Sequence, residues 1–231
     1  MNAQIATLKH GLIVSCQADG IDPFNQPGLI AKFAKAAQMG GAIAIRAQGV
    51  ENITEIKKTV DLPVIGIIEG QFANGWICVT PDFSDIEKLI SAGADIIALD
   101  VTTRKRPNGL DGVEFFDEVK ERYQIPLMAD IATFEEGVRA AELGADLIAT
   151  TLAGHTEYTE RFLTEHPDFE LIEQLSRAVR VPVVAEGRIW SPDDAQECLH
   201  RGAFCVVVGS AITRPAVMTK RFVNAVTLKI N

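Results

Sequence analysis

The sequence predicts a single-domain (β/α)8 barrel that spans residues 1–231, and three observations lead to this fold. Short apolar runs rich in Val and Ile recur at regular intervals, and nearly unbroken runs of this kind are typical of strands buried on both faces of a parallel sheet. Helix-like stretches with apolar residues three and four positions apart separate these runs. The way in which the strands begin also alternates along the chain, and the alternation stops at the eighth strand. The predicted strands are Leu12–Cys16, Ala42–Ile45, Val64–Ile68, Ile96–Leu99, Leu127–Ala129, Leu147–Ala149, Val183–Ala185 and Cys205–Val208.

Two kinds of strand beginning alternate from the second strand to the eighth. One is a glycine followed by alanine, and glycine suits the left-handed position that ends a helix. The other is an apolar residue followed by proline, which at the start of a strand does not remove a hydrogen bond from its middle. A doubly wound open sheet usually has roughly five or six strands, so the longer pattern favours the closed barrel over that alternative. The glycines are Gly41, Gly93, Gly144 and Gly202, and the prolines are Pro63, Pro126 and Pro182.

The composition excludes some classes of function. The chain has 22 Lys and Arg against 31 Asp and Glu, which gives a formal net charge of −9. Such an acidic balance argues against a nucleic-acid binder and against a basic membrane-surface protein. An anionic small molecule stays possible, because a few oriented backbone amides can outweigh a distant net charge.

The sequence also predicts a cytoplasmic location. The first residues do not form a basic segment followed by an apolar run, and no apolar stretch reaches the roughly 18 residues of a transmembrane helix. The four cysteines lack CxxC spacing, so we expect buried, reduced thiols. They are Cys16, Cys78, Cys198 and Cys205.

Polar residues follow the predicted strands at the carboxyl end of the barrel, which we call the mouth. Chemistry in this fold lies at the mouth, and charged residues that close apolar runs favour a polar site over packing. Any one of them alone is as easily explained by an ion pair or a helix cap, whereas the whole group is not. These residues are Gln17, Arg46, Glu69, Asp100, Asp130, Thr150, Thr151, Glu186 and Gly209.

The loops after the seventh and eighth strands predict a phosphate site. Barrels of this type commonly bind phosphate between these two loops, at the start of a short helix. Glycine lets the backbone come close to the anion, and an arginine can add a charge-assisted hydrogen bond. The candidate residues are Gly187, Arg188, Gly209, Ser210 and Arg214.

Other polar residues carry weaker signals. The four histidines show no metal-ligand spacing, so we expect no metal site. No other cofactor is predicted. His200 is expected at the surface, whereas His155 is placed where it could face the mouth. The run from Arg104 to Arg106 is expected to be a solvated loop, with a ligand role left open. Trp76 and Trp190 are candidates for a lid over the mouth.

Several motifs spread over essentially the whole chain carry a resemblance to a known family. The first motif below and the last two are quite specific, whereas generic phosphate-binding barrels share only the glycines. Through them the chain resembles the N-acetylmannosamine-6-phosphate 2-epimerases, single-domain barrels of sialic acid catabolism. The motifs are Gly11-Leu-Ile-Val-Ser-Cys-Gln17, Ala44-Ile-Arg-Ala47, Val64-Ile-Gly-Ile-Ile68, Gly93-Ala-Asp-Ile-Ile-Ala-Leu-Asp100, Gly144-Ala-Asp146, Thr150-Thr-Leu-Ala-Gly154, Ala185-Glu-Gly-Arg188 and Val208-Gly-Ser-Ala-Ile-Thr-Arg214.

The resemblance implies an activity and a role for each site residue. The activity is the interconversion of N-acetylmannosamine 6-phosphate and N-acetylglucosamine 6-phosphate by inversion at C2, without metal or nucleotide. Glu186 matches the catalytic glutamate of the family, and Gln17 and Arg46 match residues that hold the sugar and its N-acetyl group. Asp130 matches an acidic residue of the site, and Thr151 is taken as a further substrate-binding residue. The backbone at Gly187-Arg188 and Gly209-Ser210 matches the phosphate site.

One position departs from the family pattern. After the third strand the family places a lysine that acts as an acid–base group, and here the residue is Glu69. A carboxylate can act as a base when burial or a neighbouring carboxylate raises its pKa, so Glu69 and Glu186 are the acid–base candidates. The alternative is a relative that acts on another sugar phosphate or only binds one.

Other classes of function fit less well. A Schiff-base aldolase or lyase needs a lysine at the mouth, and none of the strand ends carries one. A metal-dependent sugar-phosphate epimerase needs histidine ligands there, and these are also missing. The resemblance implies a small sugar phosphate as the partner, and neither nucleic acid nor a membrane is expected. The oligomeric state is left open, with a homodimer as the candidate.

Overall fold

Eight parallel strands close into a barrel in the computed structural model, which describes residues 3–18, 20–106, 108–162 and 164–227. Neighbours around the barrel are β1, β2, β3, β6, β7, β8, β9 and β10, and β10 pairs with β1 to close the ring. The predicted fold class is confirmed. The barrel strands are β1 (Leu12–Cys16), β2 (Ala44–Gln48), β3 (Val64–Ile67), β6 (Ile96–Asp100), β7 (Leu127–Asp130), β8 (Leu147–Ala149), β9 (Val183–Glu186) and β10 (Cys205–Val208).

A two-stranded antiparallel hairpin of β4 (Glu69–Gln71) and β5 (Ile77–Val79) stands outside the barrel sheet. It was not predicted from the sequence, because each of its strands is only three residues long. The second barrel strand also differs, since it begins at Ala44 and runs to Gln48. Arg46 therefore lies inside a strand rather than after one.

Helices follow the barrel strands and cover the outside of the barrel. Some of their first turns are stabilised by capping residues, for example at Ser191, whose side chain and that of Asp194 form a reciprocal cap with Pro192 at the first helical position. The helices are α1 (Ala3–Ala6), α2 (Pro27–Met39), α3 (Val50–Thr59), α4 (Phe83–Ala92), α5 (Gly112–Arg122), α6 (Phe134–Glu142), α7 (Phe169–Ala178), α8 (Pro192–His200), α9 (Ser210–Thr213) and α10 (Pro215–Thr227), with a 3-10 turn at Glu160–Phe162.

Apolar side chains fill the barrel interior, so the mouth is the place where polar groups can gather. The interior cluster is buried throughout, and Ile5 and Leu8, from α1 and the turn after it, extend it. A second cluster lies between the strands and the helices. All four cysteines are buried and free, as predicted. In the described part of the chain, no helix has the length and apolar character needed to cross a membrane.

Candidate active site

Three charged side chains point into the barrel because of the alternation of their strands. Arg46, Asp130 and Glu186 each stand two residues after a residue of the interior cluster. Successive side chains of a strand point to opposite faces, so two positions further along the side chain returns to the interior. The three groups therefore form the polar top layer of the barrel interior. The interior residues that precede them are Ala44, Met128 and Val184.

Arg46 holds two carboxylates at once. Its Nη2 lies 2.6 Å from Asp130 Oδ2, and its Nη1 donates to Asp130 Oδ1 at 3.1 Å. The same Nη1 lies 3.1 Å from Glu186 Oε2. Burial lowers the pKa of Arg46, but Asp130 and Glu186 outweigh this effect and raise the pKa. Arg46 is therefore a permanent buried cation between two acids.

Thr151 connects the same two carboxylates. Its Oγ1 lies 2.8 Å from Asp130 Oδ1 and 3.1 Å from Glu186 Oε2. A hydroxyl donates one hydrogen, so Thr151 donates to one carboxylate at a time and can accept from the other when that group is protonated. Thr150 fixes this turn, because its hydroxyl exchanges hydrogen bonds with the backbone of Glu186 at 3.0 and 3.1 Å.

Glu186 is poised to exchange a proton near neutral pH. Burial raises the pKa of Glu186 to about 7; Asp130 adds to the rise, while Arg46 and Thr151 oppose it. Its Oε2 faces Arg46 and Thr151, whereas its Oε1 accepts no hydrogen bond from any residue that the structure describes. A general base works best when its pKa lies near the working pH, and Oε1 is the oxygen available for that work.

A cavity of about 270 Å³ lies above this layer. Glu69, the first residue of β4, enters it from the hairpin, and its negative charge contributes to the raised pKa of Arg46. Neither the Gln17 amide nor the His155 imidazole hydrogen-bonds to another residue in the described ranges, so both can bind a ligand. The cavity is lined by Gln17, Arg46, Ile67, Glu69, Trp76, Ile77, Val79, Thr151, Leu152, His155 and Glu186.

The structure thus brings together most of the site that the sequence proposed. Gln17, Arg46, Glu69, Thr151 and Glu186 line one cavity, and Asp130 lies beneath it. The sequence did not predict the apolar wall supplied by the hairpin and by Leu152, because an apolar residue gives no sign of whether it lines a cavity or packs in the core. His155, which the sequence placed where it could face the mouth, lines the cavity. Burial, and then the charge of Arg188, lower the pKa of His155, which favours the neutral imidazole.

The predicted phosphate-binding residues lie in two tight turns beside the site. Gly187 and Arg188 both have positive φ, at 110° and 57°, and Gly209 stands just before α9, whose first residue is Ser210. The Arg188 guanidinium donates to the carbonyls of Ala153 at 2.6 Å and His166 at 2.9 Å, and it does not line the cavity of Glu186. Only its backbone therefore remains placed for the predicted role, which stays a prediction.

Arg214 is the other arginine of the predicted phosphate site. Its Nε lies 3.9 Å from Asp22 Oδ2, which is a long ion pair, and the side chain is 25% exposed. It follows α9 directly. Its role stays a prediction as well.

Several residues that the sequence placed at the mouth do not line the cavity. Asp100 is buried and pairs with Arg104 at 2.7 Å. The expected solvated loop at 104–106 is wrong for two of its three residues, because Arg104 and Arg106 are both buried and only Lys105 is exposed. Trp190 lines a different groove, so of the two tryptophans only Trp76 borders the cavity. His200 is 67% exposed, as expected.

Comparison with known proteins agrees with this geometry. The sequence profile described as "Putative N-acetylmannosamine-6-phosphate epimerase" matches residues 30–228. The chain belongs to this family. The resemblance that the motifs indicated is therefore confirmed, and the match covers β2 to β10 and so most of the cavity.

Relatives with similar names match nearly the whole chain. A putative N-acetylmannosamine-6-phosphate 2-epimerase of Caldanaerobacter subterraneus is 52% identical over 221 residues, which is 95% of this chain and 92% of that protein. One of Clostridioides difficile is 44% identical over 96% of this chain and 98% of its own length. The solved structure of the N-acetylmannosamine-6-phosphate 2-epimerase from Clostridium perfringens aligns with a TM-score of 0.89 at 41% identity, covering 97% and 96% of the two chains.

Proposed function

We propose that this protein interconverts N-acetylmannosamine 6-phosphate and N-acetylglucosamine 6-phosphate by moving a proton at C2. The observation that carries the proposal is Glu186, a carboxyl group that lines the cavity, whose pKa burial raises to about 7 and whose Oε2 binds Arg46 and Thr151. The names of the relatives supply the substrate class, and the motifs at Gln17, Arg46 and Glu186 support the same assignment.

The reaction needs one base and one acid on opposite faces of C2. In the open-chain sugar the C1 carbonyl acidifies the C2 hydrogen. A carboxylate takes this proton, the electrons of the C–H bond form a C1–C2 double bond, and the negative charge moves to O1. A protonated carboxyl group then returns a proton to the other face of C2, and the carbonyl forms again. No metal or nucleotide is needed in this scheme, since protons and electrons balance between the sugar and the two carboxyl groups.

Glu186 and Glu69 are the two proton carriers in this proposal. Both line the cavity, and they reach it from different elements, β9 and the hairpin. The charge on O1 needs hydrogen-bond donors. Arg46 already binds Asp130 and Glu186, so we assign this role to the Gln17 amide and the His155 N–H.

The sugar phosphate is held, in this proposal, by backbone amides after β9 and β10. The first amides of a helix have no acceptor within the helix, and this applies to the turn from Gly209 into α9. Gly187 and Arg188 supply further backbone groups, and Arg214 supplies charge. We further propose a location in the cytoplasm, a place in sialic acid catabolism, a single-domain organisation and a homodimer.

Proton NMR in deuterated water tests the function directly. N-acetylmannosamine 6-phosphate is incubated with the protein, and both the C2 signal and the gluco epimer are followed. We expect deuterium at C2 of both epimers and an approach to their equilibrium. No exchange at high protein concentration would overturn the proposal and favour a protein that only binds a sugar phosphate.

A matched pair of variants assigns the base. Glu186→Gln keeps the shape of the side chain but cannot take a proton, so we expect exchange to fall by at least about 1,000-fold, within the range of a lost acid–base group. Glu121→Gln, an exposed position near the end of α5, is the control and should exchange like the unmodified protein. An unchanged rate in Glu186→Gln would remove Glu186 from the mechanism.

A further inference from the structure

The hairpin of β4 and β5 needs support from outside itself. It supplies Glu69, Trp76, Ile77 and Val79 to the cavity. Two strands of three residues each are marginal by themselves, so their position depends on what holds them. The chain leaves the hairpin at Thr80, a fully buried residue with φ of 50°, where a non-glycine residue is strained.

Arg106 binds the exit of the hairpin. Its side chain is buried, and its Nη1 donates to the carbonyls of Thr80 and Pro81, both at 3.0 Å. The same nitrogen lies 3.5 Å from Cys78 Sγ, and Nη2 donates to the carbonyl of Asp100 at the end of β6. Within the described ranges Arg106 forms no ion pair with a carboxylate, and burial lowers its pKa. The Arg106 guanidinium therefore binds backbone carbonyls instead of a carboxylate.

Arg104 binds the turn of the hairpin. Its guanidinium carbon lies 4.3 Å from the centre of the buried Phe72 ring, in the segment between β4 and β5. Its own position is fixed by Asp100 Oδ2 at 2.7 Å and by Thr102 Oγ1 at 3.0 Å. Arg104 and Arg106, both in the loop after β6, thus contact the turn and the exit of the hairpin.

We propose that Arg104 and Arg106 are positioning residues for the reaction, because together they hold the hairpin so that Glu69 faces the cavity of Glu186. Burying two cations is unfavourable, and an exposed loop would avoid it. The buried arginines are explained if the hairpin must stand at one fixed distance from β9. This inference rests on the proposed function for the part that Glu69 plays.

The activity of Arg106→Ala provides the first test. A misplacement of about 1 Å can lower a rate by roughly 100-fold, so we expect kcat to fall by about 10- to 100-fold in Arg106→Ala, with a smaller change in KM. Added guanidinium ion should restore part of the rate in Arg106→Ala and none in Glu69→Gln. The exposed Arg139→Ala, on α6, is the control and should keep the full rate. A folded Arg106→Ala protein with an unchanged kcat would overturn the proposal.

A double variant separates positioning from general damage. If Arg106 acts through Glu69, Arg106→Ala should add little to the loss already present in Glu69→Gln. A double variant whose loss of rate equals the product of the two single losses would contradict the proposal. Amide hydrogen exchange gives a readout that does not depend on activity: residues 69–79 should lose protection in Arg106→Ala, while β9 keeps it. If the protein proved inactive but this loss were seen, the proposed function would fail and the support of the hairpin would stand. Unchanged protection would refute the support itself.

Discussion

Arg46 and Asp130 form a bidentate ion pair, with contacts of 2.6 and 3.1 Å, and neither side chain is more than 1% exposed. A buried pair of this kind adds little net stability over an apolar pair, but it fixes both groups in one geometry. The pair therefore sets where Nη1 of Arg46 meets Glu186, and thus the charge that surrounds the proposed base.

Asp130→Asn should lower stability and shift the pH dependence. Removing the Asp130 charge leaves the buried Arg46 cation with Glu186 as its remaining ion-pair partner among the described residues, so we expect the free energy of unfolding to fall by up to about 3 kcal/mol. The Asp130 charge helps to raise the pKa of Glu186. Its loss should therefore lower the midpoint of the acid limb, the part of the pH profile in which the rate of C2 exchange rises with pH, to below pH 7. Urea unfolding and rates from pH 5.5 to 8.5 check both points. An acid limb at higher pH than in the unmodified protein would contradict the claim that the Asp130 charge raises the pKa of Glu186.

The rate of C2 exchange should rise with pH along a limb centred near pH 7. The base must be ionised, and the pKa of Glu186 is raised to about 7. Thr151 donates a hydrogen bond that favours the ionised form, so Thr151→Val should move the limb to higher pH. Thr54→Val, on α3 and away from the mouth, serves as the control. A limb that stays in place in Thr151→Val would show that this hydrogen bond does not act on the base.

The inward residues of the site were predictable, and the hairpin was not. Asp130 and Glu186 close apolar runs, and the period of two in a strand is enough to direct them inward with Arg46. The burial of Arg104 and Arg106 could not be read from a run of three basic residues, since it depends on carbonyls of Thr80 and Pro81 about 25 positions away. The direction of the Arg188 side chain likewise depends on the carbonyls of distant loops.

Glu69→Lys tests the departure from the family pattern. An ammonium group near Glu186 favours its ionised form, so the pKa of Glu186 should fall and the acid limb should move to lower pH. The resemblance places a lysine here, so this variant should keep measurable exchange, whereas Glu69→Gln should lose about 10-fold or more because it cannot carry a proton. Equal rates in Glu69→Gln and the unmodified protein would remove Glu69 from the mechanism.

An apolar face of α10 supports the proposed homodimer. Phe222, Val223 and Val226 are 67%, 51% and 63% exposed, and no described residue of α10 is buried. An open groove of about 550 Å³ lies nearby, lined by β1, β10 and α8, and Arg221 of α10 stacks on its Trp190. Two copies can cover both surfaces in one symmetric contact.

Light scattering after gel filtration should therefore give twice the mass of the chain. Phe222→Ser should shift the protein toward the monomer, whereas Thr54→Val should not. A monomer at concentrations of about 100 µM, where even weak contacts of micromolar Kd are populated, would refute the dimer.

Glu186→Gln should be more stable than the unmodified protein at alkaline pH, and this advantage should be smaller at acid pH. The pKa of Glu186 is raised in the folded state, to about 7 from an ordinary value near 4.5, so the folded state binds the extra proton between these values. Stability attributable to this group is therefore highest below pH 4.5 and is lost as the pH rises toward 7. At pH 8 the ionised group destabilises the fold by up to about 3 kcal/mol, at roughly 1.4 kcal/mol for each pKa unit. Glutamine carries no ionisable group and so removes this destabilisation. Urea unfolding of both proteins at pH 5 and pH 8 measures it, and an advantage of Glu186→Gln that fails to grow with pH would contradict a raised pKa at Glu186.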